Sequence, residues 1–162
     1  MAERKSAGIL LYRRVGGADG AIEVLLAHPG GPYFAKKDLG DWTIPKGEPD
    51  GDETDLPTVA RREFEEETGT AIDPTAPTIE LGSIVQKGGK IVHAWAVAGD
   101  LDPTTASSNE FEVEWPPRSG TRVRFAEIDR VAWFDLDEAR RRLKATQVPL
   151  VDRLEAALAG PA

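Results

Sequence analysis

Apolar positions gather into short runs along this chain, and their spacing changes from one run to the next. Residues 5–14 (KSAGILLYRR) and 21–28 (AIEVLLAH) are nearly continuous apolar stretches split by Gly16-Gly17-Ala18-Asp19-Gly20, which predicts two strands joined by a loop. Residues 29–41 (PGGPYFAKKDLGD) mix glycine, proline, aromatics and two lysines, and predict an exposed loop. A short extended piece follows at Trp42-Thr43-Ile44-Pro45, because Pro45 pushes Ile44 away from helical angles. Residues 55–68 predict the first helix. Thr54 or Asp55 can cap it, Pro57 falls in its first turn, and Gly69 stands where a glycine stop belongs. Residues 70–77, with two prolines, predict a loop.

Two further apolar runs, 78–86 and 90–99, flank Lys87-Gly88-Gly89 and predict a hairpin. Residues 109–115 alternate apolar and acidic positions, as a half-exposed strand does, and Pro116-Pro117 ends them. A last strand is expected over 129–134, then a helix from Asp135 or Asp137 to about Lys144. Leu150, Leu154 and Leu158 at four-residue spacing predict a final helix over 149–159. No internal repeat or linker interrupts the pattern. Strands mixed with two or three helices predict one domain of α/β or α+β class.

Composition narrows the function classes. The 162 residues suffice to bury a real core, and 30% charged with 40% hydrophobic residues is the balance of a folded soluble protein. No apolar run approaches the roughly 18 residues that span a membrane, and the N-terminal segment has no signal-peptide pattern. Cysteine is absent, which removes disulfides, thiolate catalysis and zinc–thiolate sites. A cytoplasmic location is the default expectation. The net charge of -8 gives no general help in binding extended nucleic acid. Local basic clusters (Lys36-Lys37, Lys46, Lys87 with Lys90, and Arg118-Arg122-Arg124) read first as solvated surface.

The densest chemistry lies in Arg62-Glu63-Phe64-Glu65-Glu66-Glu67-Thr68-Gly69. On a helix, Glu63, Glu66 and Glu67 fall within an arc of about 100°, while Glu65 points to the opposite side. Three carboxylates on one face offer oxygen ligands for Mg²⁺ or Mn²⁺. They also crowd a helix C-terminus, where the macrodipole disfavours negative charge, so a cation would compensate them. The other reading is a solvated acidic face, since glutamate is a good helix former.

Gly47, Glu53, Arg62-Glu63, Glu66-Glu67 and Gly69 together resemble the signature of the Nudix hydrolases, and Pro45-Lys46-Gly47 resembles the lead-in common in that family. The segment from Ala132 to Ala139 looks like the family's usual last strand and helix. The resemblance implies an α/β/α sandwich with a mixed sheet. It implies metal-dependent hydrolysis of a nucleoside di- or polyphosphate linked to another moiety, the cofactor being Mg²⁺, with Mn²⁺ possible. Glu63, Glu66 and Glu67 are then metal ligands, with the Gly47 carbonyl as a further one. Two departures stand out. Eight residues separate Glu53 from Arg62 where the family has seven, which predicts a displaced Glu53. Thr70 occupies a position that is usually bulky and apolar.

On the same resemblance, one of these glutamates, or a glutamate outside this signature box, accepts the water's proton. Glu127 is the first candidate, and Glu112 and Glu114, which share a strand face, compete. Arg62 is expected to orient Glu53 or Glu66. Lys46 is a candidate phosphate contact beside the metal site. Lys36, Lys37, Tyr33 and Phe34 form a basic and aromatic loop suited to phosphates and a base, though loop packing explains it equally well. His28 and His93 read as structural. Trp95 and Trp133 read as core, while Trp42 and Trp115 border irregular segments and can shape a pocket. A binding or regulatory module with little turnover is the alternative function; the irregular Glu53 spacing is its only support. The oligomeric state is open.

Overall fold

The structure, a computed structural model, describes residues 4–17 and 20–160. Residues 18 and 19 of the expected first loop, and residues 1–3 of the N-terminal segment, lie outside the described residues. Among the described residues eight strands form: β1 (Lys5–Val15), β2 (Ala21–Pro29), β3 (Lys46–Gly47), β4 (Thr78–Val85), β5 (Ile91–Ala98), β6 (Glu110–Glu114), β7 (Arg122–Ala126) and β8 (Ile128–Asp135). Three α-helices accompany them: α1 (Leu56–Thr68), α2 (Leu136–Arg142) and α3 (Val148–Ala159).

The main sheet runs β4-β5-β1-β2-β8, with β3 lying beside the start of β1. β1 pairs parallel with β5 from Lys5–Ile91 to Tyr12–Ala98, and antiparallel with both β2 and β3. The sheet is therefore mixed. β1 and β2 sit at its centre and are covered on both faces, which is why their sequences read as continuous apolar runs rather than alternating ones. Ala7, Ile9, Leu11, Leu25 and Ala27 face Val59, Ala60 and Phe64 of α1. Leu10, Val24 and Leu26 face the other way, into a core shared with Leu136 and Ala139 of α2 and Leu150, Val151 and Leu154 of α3. The arrangement is the α/β/α sandwich with a mixed sheet that the resemblance implies. Full burial of a phenylalanine contributes about 1.5–3 kcal/mol. The completely buried Phe64 thus fixes the rotation of α1 and turns its glutamates away from the sheet core.

Local details depart from expectation at a few points. Asp55 is the residue before α1, but its carboxylate accepts the Thr58 hydroxyl rather than capping a backbone N–H. Gly69 does close the helix, at φ 80°, with its N–H donating to the Glu65 carbonyl at 2.7 Å. The segment after Pro116-Pro117, which carries no strand expectation, forms β7 and pairs antiparallel with β6 as a separate two-stranded ribbon. Trp42 is not a pocket wall. It is 2% exposed, bridges to Leu143, stacks edge-on with Phe134 and His28, and donates its indole N–H to Asp38. Trp95 and Trp133 are half-buried against the α1 side of the core. His28 is fully buried between Asp129 and the Lys37 carbonyl, a structural position. Among the described residues no helix is long and apolar enough to cross a membrane.

Candidate active site

Two elements build the site. β3 hydrogen-bonds to the start of β1 and presents Lys46 and Gly47, and the last turns of α1 lie against β3. Glu63, Glu66 and Glu67 are half-buried on this side, whereas Glu65 is exposed. A Cβ at Gly47 would lie 2.0 Å from the Glu63 carboxyl group, so any other residue there would push that carboxylate aside. The Glu63 carboxylate occupies the space that any other side chain would fill.

Arg62 is the hub of the cluster. Its Nε and Nη2 engage the Glu53 carboxylate, with Nη2 donating to Oε1 at 2.7 Å. Its Nη1 donates to Glu63 Oε1 at 2.9 Å and to Glu66 Oε2 at 3.0 Å. Nη2 also reaches the Glu48 carbonyl at 3.1 Å, and Asp50 stands 3.3 Å from Nη1. One guanidinium thus organises three glutamates through a charge-assisted fork. These contacts hold the arginine firmly protonated. The extra residue before Arg62 therefore does not displace Glu53. Glu53 is also held from its own loop, where Gly51 adopts φ 52° and the Glu53 N–H donates to the Asp50 carbonyl.

The cluster sits in unfavourable electrostatics for a bed of anions. Burial pushes the Glu67 carboxyl up to about 8, the Glu63 charge adds to this, and Lys46 opposes it. Glu63 is likewise raised, by burial first, although Arg62 pulls it down. Lys46 is driven the other way, down to about 8, by burial and then by the charges of Lys90 and Lys144. The Lys46 N–H approaches Glu67 Oε1 at 3.4 Å. Among the described residues, Glu63 Oε2, Glu66 Oε1 and Glu67 Oε2 make no hydrogen bond. No three His, Asp or Glu side chains already close round one point among those residues, because Arg62 draws Glu63 and Glu66 toward itself. Oxygen-only donors, free lone pairs and carboxyls raised by desolvation are a set that a hard divalent cation fits.

Glu127 lies in the turn between β7 and β8, at the exposed rim. Its N–H donates to the Asn109 carbonyl, and the Asn109 N–H donates to the Glu66 carbonyl. This short backbone relay ties Glu127 to the end of α1. Partial desolvation raises the Glu127 carboxyl, and the Glu66 charge raises it further. The rival acids stand differently. Glu112 pairs with Arg122 at 3.4 Å on the ribbon surface, and Glu114 accepts the Arg118 N–H at 2.7 Å.

The aromatic and basic loop follows β2. The Gly30 N–H donates to the Glu127 carbonyl, so the loop starts beside the rim of the site. Tyr33 is 58% exposed and meets Trp115 edge-on at 5.4 Å. Phe34 lies under the Lys37 ammonium at 5.3 Å, and Lys36 is exposed. Among the described residues, neither lysine makes an ion pair with the acids of the box. Sequence reasoning missed Asp50 and Lys144. Asp50 reads as one more loop acid, and Lys144 approaches Lys46 only through the tertiary fold.

The NUDIX domain family model matches residues 2–154, nearly the whole chain, and the chain belongs to that family. Its class is that of hydrolases acting on phosphoric anhydride bonds, enzymes that generally need divalent metals. Among similar solved structures is a Caenorhabditis elegans Ap4A hydrolase in a binary complex, at 24% identity and TM-score 0.64, covering 98% of this chain and 99% of that one. The NUDIX domain of Shewanella oneidensis NrtR, complexed with ADP ribose, matches at 16% identity and TM-score 0.64, covering 98% and 90%. A mutT/nudix family protein from Listeria innocua matches at 18% identity and TM-score 0.61, covering 98% and 96%. At these identities the likenesses bear on the fold.

Proposed function

We propose that this chain hydrolyses a nucleoside polyphosphate, or a nucleoside diphosphate linked to another group, with Mg²⁺ held by Glu63, Glu66 and Glu67. The Gly47 carbonyl and Glu127 complete the donor set, and Mn²⁺ is an alternative occupant. The observation that carries this reading is the half-buried carboxylate face on α1, organised by one arginine and packed against a glycine backbone. The cation supplies positive charge to the non-bridging phosphate oxygens and eases deprotonation of a water.

The residues do the rest. Arg62 positions Glu63 and Glu66 and leaves each one free oxygen. Glu53 fixes Arg62 from the far side. Glu127 accepts the proton of the attacking water, because its carboxyl is raised and, among the described residues, no arginine engages it. The water oxygen bonds to phosphorus, the bridging P–O bond breaks, and the bridging oxygen leaves with its electron pair. Lys46 faces the phosphates from β3. Tyr33, Phe34, Lys36 and Lys37 line the approach on the Glu127 side, where an aromatic ring can stack on a base.

A binding module with little turnover rests on the irregular spacing of Glu53. The Glu53–Arg62 contacts remove that support. The test is a panel of nucleoside triphosphates, dinucleoside polyphosphates and ADP-ribose, incubated with and without Mg²⁺. Metal-dependent product release from at least one is expected. Tight binding with no turnover on any would favour the module instead.

A further inference from the structure

Between the loop that precedes β3, the β4–β5 turn and the segment after α2 lies a cleft of about 400 Å³, lined by Gly40, Asp41, Gln86, Lys87, Lys144 and Thr146. That volume falls within the roughly 300–1,000 Å³ of small-molecule sites. Its walls come from three distant parts of the chain and are joined by one buried amide. Gln147 is fully buried; its Nε2 donates to Thr43 Oγ1 at 2.9 Å and to Gln86 Oε1 at 3.0 Å, and its Oε1 accepts the Ile44 N–H at 2.9 Å. The Lys144 N–H donates to the Trp42 carbonyl at 2.9 Å, which sets the third wall. The cleft is therefore formed in advance.

Its charge is unusual for a chain of net charge -8. Lys87 and Lys144 line it, Lys90 ends the turn that starts at Gln86, whose N–H donates to the Lys90 carbonyl at 2.8 Å, and Lys46 lies three residues past Thr43, the hydrogen-bond partner of Gln147. Three of these four lysines are half-buried. The nearby acids are Asp41 on the wall, Glu48, which lies 3.9 Å from Lys90 and is shared with Arg4, and Glu67, whose Oε1 lies 3.4 Å from the Lys46 N–H. Four lysines against three acids leave a positive excess, and like charges held together out of bulk water call for an anion. Lys46 adjoins Gly47, so the excess is continuous with the glutamate face.

We propose that this lysine-lined cleft holds the distal phosphates of the substrate, and that the enzyme favours chains of more than two phosphates. The proposal rests on the hydrolase reading above and deepens it. The reacting phosphorus sits over the glutamates, and the rest of the chain runs past Lys46 toward Lys90, Lys144 and Lys87.

Two measurements test it. The first compares KM for a dinucleoside tetraphosphate with KM for ADP-ribose in Lys87→Ala, Lys144→Ala and the double variant. A charge-assisted contact of about 1.5–3 kcal/mol corresponds to roughly tenfold or more per lysine, so the KM ratio should rise by at least that factor against the shorter substrate. A ratio within twofold of wild type overturns the proposal. The second is calorimetry with inorganic tripolyphosphate in EDTA, which needs no turnover. Lys144→Ala should weaken tripolyphosphate binding roughly tenfold. Absence of binding to the wild type, or binding unchanged in the variant, overturns the cleft. Lysine-dependent tripolyphosphate binding in a protein that hydrolyses nothing would support the cleft and refute the hydrolase.

Discussion

Glutamates are concentrated twice in this protein, on the last turns of α1 and along β6, and the two sets live under opposite conditions. On β6, Glu112 and Glu110 meet Arg122 and Arg124 across the ribbon at 3.4 and 3.5 Å, and all four side chains are about half exposed or more. Each acid has its own counter-ion and water besides, an arrangement worth little to stability. On α1, among the described residues, Glu63 and Glu66 share a single arginine and Glu67 has none. Burial raises Glu63 and Glu67. What separates a site from a surface is therefore not the number of acids. It is desolvation combined with too few cations.

The sharpest way to break this contrast is to neutralise one acid in each set. Glu67→Gln should lower product release by two orders of magnitude or more while the fold persists, read by a phosphate assay and a thermal melt. Glu112→Gln should stay within twofold. Gly47→Ala comes next, because its Cβ would drive into the Glu63 carboxyl group. The rate should fall at least tenfold, with the carboxylate forced out of place. Arg62→Ala leaves three partly buried glutamates without their shared cation. A loss of about 1–3 kcal/mol is expected in denaturant unfolding, whereas Arg122→Ala should leave the midpoint unchanged.

The smallest effect is one of pH. Glu67 titrates near 8 in the folded protein and near its ordinary 4.5 when unfolded. The native state binds the extra proton between those values, so this group's contribution to stability falls as pH rises from 4.5 to 8. Lys46 titrates near 8 folded against 10.5 unfolded, so its contribution recovers from 8 to 10.5. Together they predict a shallow minimum near pH 8 in the unfolding free energy, which Mg²⁺ should fill in. Glu67→Gln should reduce the falling limb, to which Glu63 and Glu127 also contribute, and Lys46→Met the rising one. A flat profile in the wild type would contradict both shifts.

The glutamate face was legible because its members lie within one helical turn or two, so residue spacing alone puts them on a common side. Gly47 was legible through the family signature, and the structure shows the space beside it filled by Glu63. Glu53 misled by one residue because loops absorb insertions that helices cannot. β7 was missed because Arg122-Val123-Arg124-Phe125 shows only two apolar positions, both facing the small ribbon core. Its strand character comes from pairing with β6. The lysine cleft was illegible for a stronger reason. The segments that carry Lys46 and Lys144 are joined where Trp42 bridges Leu143, a contact between residues about a hundred positions apart.

Direct titration of Mg²⁺ into wild type and Glu67→Gln at pH 8, followed by calorimetry, tests the central claim most directly. Wild type should bind with proton release that grows as pH is lowered toward 7, because the cation displaces the Glu67 proton. The variant should bind at least tenfold more weakly and release no proton from this position. Equal affinity in the two proteins, with equal proton release, would show that the glutamate face of α1 is not where the metal sits.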